Sequence, residues 1–165
     1  MPAPVTRAPH LRETGFYAVH RIKLQPALRL TLPDSFRQLL SRDTIVVYPQ
    51  FHLVNETLCK AENDSIMVIA PKSYHQSALA QLSPPNRLLL EAATTIVEMD
   101  EQRQITIPDS FVRAHNITVK DQLVVVGCGD YCELWRKGDW ERYKAHLDDP
   151  ATRLELQRKL AELGL

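Results

Sequence analysis

Alternating aliphatic and polar positions occur twice in the chain, in almost the same form. RLTLPDSF, residues 29–36, returns 75 positions later as QITIPDSF, residues 104–111. Alternation with a period of two predicts a strand, and the following Pro-Asp-Ser-Phe predicts the start of a short helix. The side chains that should point into the core are Leu30, Leu32, Ile105 and Ile107, and those that should point outward are Thr31 and Thr106.

The pattern around the first copy predicts mostly strands. A strand in FYAVHRIKL, residues 16–24, precedes the repeated strand, and the helix DSFRQLL should place Phe36, Leu39 and Leu40 on one face. One strand is then expected in TIVVYPQFHLV, residues 44–54, followed by the polar stretch NETLCKAEND. A second strand, SIMVIAP, leads into the helix YHQSALAQL.

The second copy has the same order of elements. Pro84-Pro85 can begin a helix but cannot continue one, so NRLLLEAATT is expected to be helical. The elements expected after it are the strand TIVEMD, the strand QITIP, the helix DSFVRAHN, a hairpin of QLVVVGCG with YCELWRK, and the helix GDWERYKAHL.

This repetition predicts two modules, residues 16–82 and 83–146, in a mostly β fold with short α-helices. Each module is too small to bury a good core alone, so the two should pack on each other about a pseudo-twofold axis. Residues 1–15, rich in proline and small side chains, are expected to form a flexible tail. Residues 147–165 are expected to form an amphipathic helix, with a stripe of Leu156, Leu160 and Leu163.

Four aromatic residues lie near the ends of predicted elements, beside aliphatic neighbours. We interpret them as packing residues and not as a platform for stacked bases. They are Tyr74, Trp135, Trp140 and Tyr143.

Charge is distributed unevenly along a chain whose formal net charge is zero. The first 37 residues contain six basic side chains and two acidic ones. A basic edge on a neutral protein can bind phosphate, especially when an oligomer repeats it, although such a segment can also serve only solubility.

Several functional classes lack support in the sequence. No apolar run reaches the length of about 18 residues that could span a bilayer, and no secretory leader is apparent, so we expect a cytoplasmic protein. The three cysteines form no paired metal motif and are expected to be reduced thiols. The six histidines are spread singly, and no nucleophile elbow or phosphate loop occurs. We therefore expect no enzyme, no metal, no cofactor and no small-molecule substrate.

Residues 86–143 resemble the second half of the MraZ family of bacterial transcriptional regulators. The first half is similar through residues 24–40 and 65–76, so the resemblance covers about residues 16–146. It implies a tandem pair of AbrB-type swapped-hairpin modules forming a double-ψ-type β-barrel, and a ring-shaped homo-oligomer in the cytoplasm, associated with the nucleoid. It also implies binding to double-stranded DNA at direct repeats upstream of the division and cell-wall gene cluster, which includes the protein's own gene.

The family signature is Asp-x-x-Gly-Arg followed by an aliphatic residue, any residue, an aliphatic residue and Pro. The first copy keeps the arginine as Arg29 but has Leu28 in place of glycine, whereas the second keeps Asp100 and has Arg103 and Gln104 in place of glycine and arginine. If the two signatures lay side by side, Arg29 and Asp100 could form one surviving ion pair; drift at two surface turns is the other interpretation. Leu28 and Arg103, at the glycine positions, should be strained unless the turn has been remodelled, because glycine is what permits positive φ in a tight turn. In the first copy Pro26, which fixes its own φ, could be that remodelling.

For contact with DNA, the resemblance points first to Arg29, and Arg21, Lys23 and Arg103 are expected around the same edge. The alternative function is an AbrB-fold protein-interaction module, antitoxin-like or a scaffold, that has lost specific DNA binding. Its only candidate tail is the carboxyl-terminal helix.

Overall fold

The computed structural model describes residues 19–34, 36, 40, 44–60 and 65–162, which form a mixed α+β fold. The strands are β1 Val19–Ile22, β2 Arg29–Thr31, β3 Ile45–Tyr48, β4 Phe51–Val54, β5 Thr57–Lys60, β6 Met67–Pro71, β7 Thr95–Val97, β8 Gln104–Thr106, β9 Leu123–Gly127 and β10 Cys132–Arg136. The helices are α1 Lys72–Ala80, α2 Pro84–Ala92, α3 Asp109–His115, α4 Lys137–Asp148 and α5 Pro150–Glu162, with a 3-10 turn at Pro26–Leu28. The mixed α+β class, with a mostly antiparallel sheet and short helices, is confirmed. Among the described residues α-helices hold more of the chain than strands, so the fold is not mostly β as predicted.

The two halves of the chain exchange strands within one six-stranded sheet, in the order β1-β9-β10-β6-β3-β7. Strand β1 of the first half pairs with β9 of the second, and β7 of the second half pairs with β3 of the first. At the centre of the sheet β10 pairs with β6, with Glu133 opposite Val68. The strand order is therefore symmetric about the middle of the sheet, as a pseudo-twofold axis requires.

The repeated strands β2 and β8 form a separate two-stranded antiparallel ribbon, called here the β2–β8 ribbon. Its central pair is Leu30 opposite Ile105. At its two ends the Leu32 N–H donates to the Arg103 carbonyl at 3.0 Å, and the Ile107 N–H donates to the Leu28 carbonyl at 3.1 Å. Each of these bonds maps onto the other by a shift of 75 positions, so the ribbon has the same pseudo-symmetry as the sheet.

The burial of the ribbon follows the predicted alternation. Its four aliphatic side chains are almost completely buried in the main core, and both threonines are exposed, which confirms the sequence-based assignment. The buried residues are Leu30, Leu32, Ile105 and Ile107. Alternation decides these positions because successive side chains of a strand point to opposite faces.

Both repeated strands end at a proline that precedes a helical segment. Helix α3 begins after Pro108 and ends at Asn116, which adopts the left-handed conformation typical of a helix end, with φ 51°. In the first copy Phe36 and Leu40 are buried, as predicted. Leu39, the third residue of that predicted face, lies outside the described residues.

The predicted single strand over residues 44–54 was wrong. Strand β3 ends at Tyr48 and β4 begins at Phe51, because Pro49 has no N–H to continue the ladder. The stretch expected to be polar coil contains β5, which pairs with β4 through a two-residue turn. Asn55 and Glu56 form that turn with φ of 49° and 62°, as a tight hairpin turn requires.

The aromatic residues pack largely as predicted. Trp135 is fully buried, and its ring lies 5.5 Å from that of Trp140 and 5.2 Å from that of Tyr143. Tyr74 packs against Tyr131 with ring centroids 5.0 Å apart. Tyr143 is 39% exposed, so it covers the tryptophans from the solvent side and is not a core residue.

The carboxyl-terminal helix begins at Pro150 and not at residue 147 as expected, because α4 continues to Asp148. It packs against α4. Its predicted leucine stripe falls on side chains outside the described set, while Leu154 is exposed. Among the helices that the structure describes, none combines the length and the apolar character needed to cross a membrane.

Candidate nucleic-acid interface

The outward face of the β2–β8 ribbon is polar and carries one cation. Arg29 lies opposite Thr106, and Thr31 lies opposite Gln104, whose Nε2 donates to the Thr31 hydroxyl at 3.3 Å. Arg29 is exposed, and it takes part in no ion pair among the described residues. Its guanidinium is therefore available to a ligand.

The turns before the two ribbon strands close in the same way. The Gln25 N–H donates to the Arg29 carbonyl at 2.8 Å, and the Asp100 N–H donates to the Gln104 carbonyl at 3.0 Å. Leu28 and Arg103, at the glycine positions of the signature, keep positive φ values of 56° and 67°. The predicted strain is thus present, and a left-handed conformation costs a non-glycine residue about 1 kcal/mol or more.

Asp100 stabilises its own turn and does not meet Arg29. Its Oδ1 accepts the N–H groups of Gln102 and Gln104, each at 2.9 Å. Within the described residues no ion pair joins it to Arg29. The antiparallel register explains this outcome, because it places the turn before β2 and the turn before β8 at opposite ends of the ribbon.

Arg103 forms the ion pair that links the two repeats. Its guanidinium donates to the carboxylate of Asp34, next to the Pro33 that ends the first copy's strand. The side chain of Arg103 is 43% exposed and that of Asp34 is 79% exposed, so the pair is at the surface. One of the four predicted DNA contacts therefore already has a carboxylate partner.

Arg21 and Lys23 line a groove between the halves of the chain, and no residue of the β2–β8 ribbon is part of that lining. This basic groove, about 360 Å³ in volume, is also lined by Lys120, Lys137 and Asp121. Sequence reasoning did not find the two additional lysines, which come from the second half. Only the β1–β9 pairing brings them beside Arg21, and no local sequence signal encodes that pairing.

The chain is similar to known proteins that share one name. Residues 90–160 match a family model described as "MraZ protein, putative antitoxin-like". A "Transcriptional regulator MraZ" from Mycobacterium leprae is 32% identical over 129 residues, which cover 78% of this chain and 86% of that relative.

The chain belongs to the MraZ family. A regulator of the same name from Mycolicibacterium smegmatis is 31% identical over 132 residues, covering 78% of this chain and 86% of the relative. Another from Desulfosudis oleivorans is 24% identical over 149 residues, covering 88% and 95%. The likeness to these MraZ proteins thus spans both repeats.

Other polar groups of this MraZ-family chain lie inside the fold. Glu133 is buried and accepts from the Trp135 indole N–H at 3.2 Å, beside the stacked pair Tyr74 and Tyr131. Burial raises the pKa of both tyrosines, and nearby negative groups raise it further. These phenols therefore stay neutral at physiological pH.

The thiols of Cys128 and Cys132 are also held in the neutral form. Burial raises the pKa of Cys128 to about 12, and the nearby Glu133 adds to the shift. Burial also raises the pKa of Cys132. In the part of the chain that the structure describes, His, Cys, Asp and Glu side chains form no group that could hold a metal ion.

Proposed function

We propose that this chain is a sequence-specific, DNA-binding transcriptional regulator of the MraZ type. Its targets are direct repeats in the promoter of the division and cell-wall gene cluster, including its own gene. It acts in the cytoplasm, associated with the nucleoid, as a ring-shaped homo-oligomer. The two modules, residues 16–82 and 83–146, form one swapped-hairpin unit, a proposal supported by the strand exchange in the six-stranded sheet.

The observation that carries this proposal is the exposed Arg29 on the polar face of a two-stranded ribbon. An antiparallel ribbon is narrow enough to enter the major groove of B-DNA. Arginine can pair bidentately with the O6 and N7 of guanine or with a phosphate. Arg29 is at the signature position of the arginine. The names of the relatives, transcriptional regulators, support a regulatory role for the chain as a whole.

Oligomerisation supplies what one ribbon lacks. A single chain offers one ribbon arginine, and so few contacts correspond to non-specific affinities of about 10⁻⁴ to 10⁻⁶ M at physiological salt. A ring that places identical ribbons on successive repeats gains avidity of about 10² to 10⁴ without any new contact, provided that the repeat spacing fits. Specific binding is therefore compatible with a net charge of zero.

The test is fluorescence anisotropy of the full chain with its own upstream DNA and with a scrambled duplex of equal length. We expect tight binding to the upstream sequence, and loss of that preference in Arg29→Ala. Arg158→Ala is the matched control, because Arg158 is an exposed arginine on α5. Equal, weak binding of both duplexes by the unaltered protein would contradict the proposal.

A second candidate function is an AbrB-fold protein-interaction module, antitoxin-like or a scaffold. The description of the matching family model as antitoxin-like favours it, as does Gln104 at the second arginine position. Limited proteolysis separates the two functions. A carboxyl-terminal segment that is cleaved in the free protein and protected by a purified protein partner, without any selective DNA binding, would support the interaction module.

A further inference from the structure

The basic groove collects cations from three separate parts of the chain. Arg21 is on β1, and Lys23 follows that strand. Lys120 lies in the connection before β9, and Lys137 is the first residue of α4. The Lys137 N–H donates to the Gln122 carbonyl at 2.9 Å, which holds the start of α4 against that connection. The groove therefore has a defined shape and is more than a set of neighbouring surface lysines.

The charge of the groove is not neutralised within the protein. Among the described residues, its four cationic side chains form no ion pair. The single carboxylate, Asp121, is already engaged: its Oδ2 accepts the Thr118 N–H at 2.7 Å and lies 3.7 Å from Arg136. The cationic residues are Arg21, Lys23, Lys120 and Lys137. This excess of positive charge favours an anionic ligand.

The pseudo-symmetry shows that the fold does not require this charge. Arg21 pairs with Val124 on β9, and its counterpart Ile96 pairs with Val46 on β3. The position equivalent to Lys23, two residues after Ile96, is occupied by Glu98. At these two positions the same backbone geometry is thus basic in one half, and apolar and acidic in the other.

The equivalence extends to the start of the closing helices. Lys72 begins α1, and its N–H donates to the Thr44 carbonyl at 2.7 Å, just as Lys137 donates to Gln122 in the other half. Lys72 is therefore the structural counterpart of Lys137 outside the basic groove. This relationship provides a matched control for any test of the groove.

We infer that the basic groove binds phosphate groups of a DNA backbone, as a second contact in addition to the β2–β8 ribbon. This inference rests on the proposed function. The groove is an open surface feature lined by separate cationic side chains. Such an arrangement suits consecutive phosphodiesters, whereas a single small anion is usually enclosed by converging donors. Lysines bind phosphate as point charges.

The division of labour between groove and ribbon follows from this chemistry. Contacts to phosphate add affinity for any sequence and release counterions, so they set the salt dependence of binding. Arg29 supplies preference for particular bases. Substitutions in the groove should therefore weaken binding to all duplexes by the same factor. Arg29→Ala should instead reduce the ratio of the affinity for the upstream duplex to the affinity for the scrambled duplex.

The test uses a double variant that carries both Lys120→Gln and Lys137→Gln. Its matched control is Lys72→Gln, and both are made in the full chain. Fluorescence anisotropy is measured on the upstream and scrambled duplexes at several salt concentrations. For two lost phosphate contacts we expect roughly tenfold weaker binding to both duplexes and a salt slope lower by about 0.9 per contact. Lys72→Gln should leave the affinity and the slope unchanged.

The outcomes separate the groove from the proposed function. If the unaltered protein binds selectively and the double variant has the same affinity and salt slope, the inference about the groove is overturned and the regulator proposal is left intact. Unselective binding that still weakens in the double variant supports the groove and contradicts the regulator proposal. A competition experiment with tripolyphosphate distinguishes the source of the phosphate. If this ion binds at the groove while the substitutions leave DNA binding unaffected, the inference is also overturned.

Discussion

Arg103 of the second repeat forms an ion pair with Asp34 of the first, at the end of the ribbon opposite to Arg29. The aspartate holds the guanidinium of Arg103 against the first copy and reduces the positive charge at this end of the ribbon. The ion pair therefore makes the two ends of a pseudo-symmetric ribbon electrostatically different.

Replacing Asp34 by asparagine should strengthen DNA binding. The change removes a carboxylate beside the ribbon and releases Arg103 for a phosphate, so we expect a several-fold lower Kd and a salt slope steeper by about 0.9. Stability should change by less than about 1 kcal/mol, because the pair is exposed. Asp148→Asn, which removes the carboxylate of the exposed pair with Arg153, is the control and should leave DNA binding unchanged.

Glycine at position 103 should stabilise the fold. The φ of 67° at Arg103 lies in the left-handed region, where any side chain with a Cβ is strained. We expect Arg103→Gly to have a free energy of unfolding about 1 kcal/mol higher than Arg103→Ala, since both lose the ion pair and only glycine relieves the backbone. Chemical denaturation of the two variants measures this difference. Equal stabilities would show that the turn accommodates a Cβ without strain.

Arginine at position 104 should restore the second ribbon contact. Gln104 is the pseudo-symmetric counterpart of Arg29, on the same outward face of the ribbon. Gln104→Arg adds one arginine per chain, and a ring repeats that gain at every subunit, so the upstream DNA should be bound at least tenfold more tightly. Anisotropy titrations of Gln104→Arg and Gln104→Ala provide the comparison. Unchanged affinity for the arginine variant would mean that this end of the ribbon does not approach DNA.

Acidification should destabilise the protein through His75. Burial lowers the pKa of His75 although Glu91 acts in the opposite direction, and the ring packs on Tyr48 and hydrogen-bonds the Thr94 hydroxyl at 2.9 Å. The unfolded chain, with an ordinary histidine pKa of about 6.5, takes up a proton that the folded chain resists. Stability is therefore complete above that pH and declines as the pH falls below it toward the folded pKa.

The measurement for His75 is the free energy of unfolding as a function of pH, for the unaltered chain and for His75→Gln. The difference between the two curves isolates this residue from the other histidines. It should become smaller as the pH falls below about 6.5, because only the unaltered chain loses stability through His75. A pH-independent difference would contradict the assignment.

The ribbon shows how far local pattern carries. Period-two alternation fixed which side chains of β2 and β8 are buried, and the missing glycines indicated strained turns at Leu28 and Arg103, because both features depend on residues adjacent in sequence. The hairpin of β4 and β5 was missed because its own local signal is weak. Its turn has no glycine, and Asn55-Glu56 is a weak local signal for two consecutive positive φ values.

The partners of charged side chains depended on register. The sequence placed both signatures in the chain but not at opposite ends of an antiparallel ribbon, so it paired Arg29 with Asp100 where the fold pairs Arg103 with Asp34. The β1–β9 pairing brings Lys120 and Lys137 into one groove with Arg21 and Lys23, from which they are separated by about a hundred residues in sequence.

By itself, the sequence determined the repeat, the strand faces, the strained turns and the resemblance to MraZ, because each of these is encoded by residues close together along the chain. Only the tertiary structure decided the strand exchange, the inter-repeat ion pair and the basic groove. These features arise from pairing between distant strands, whose register is set by the packing of the whole core and by no single segment.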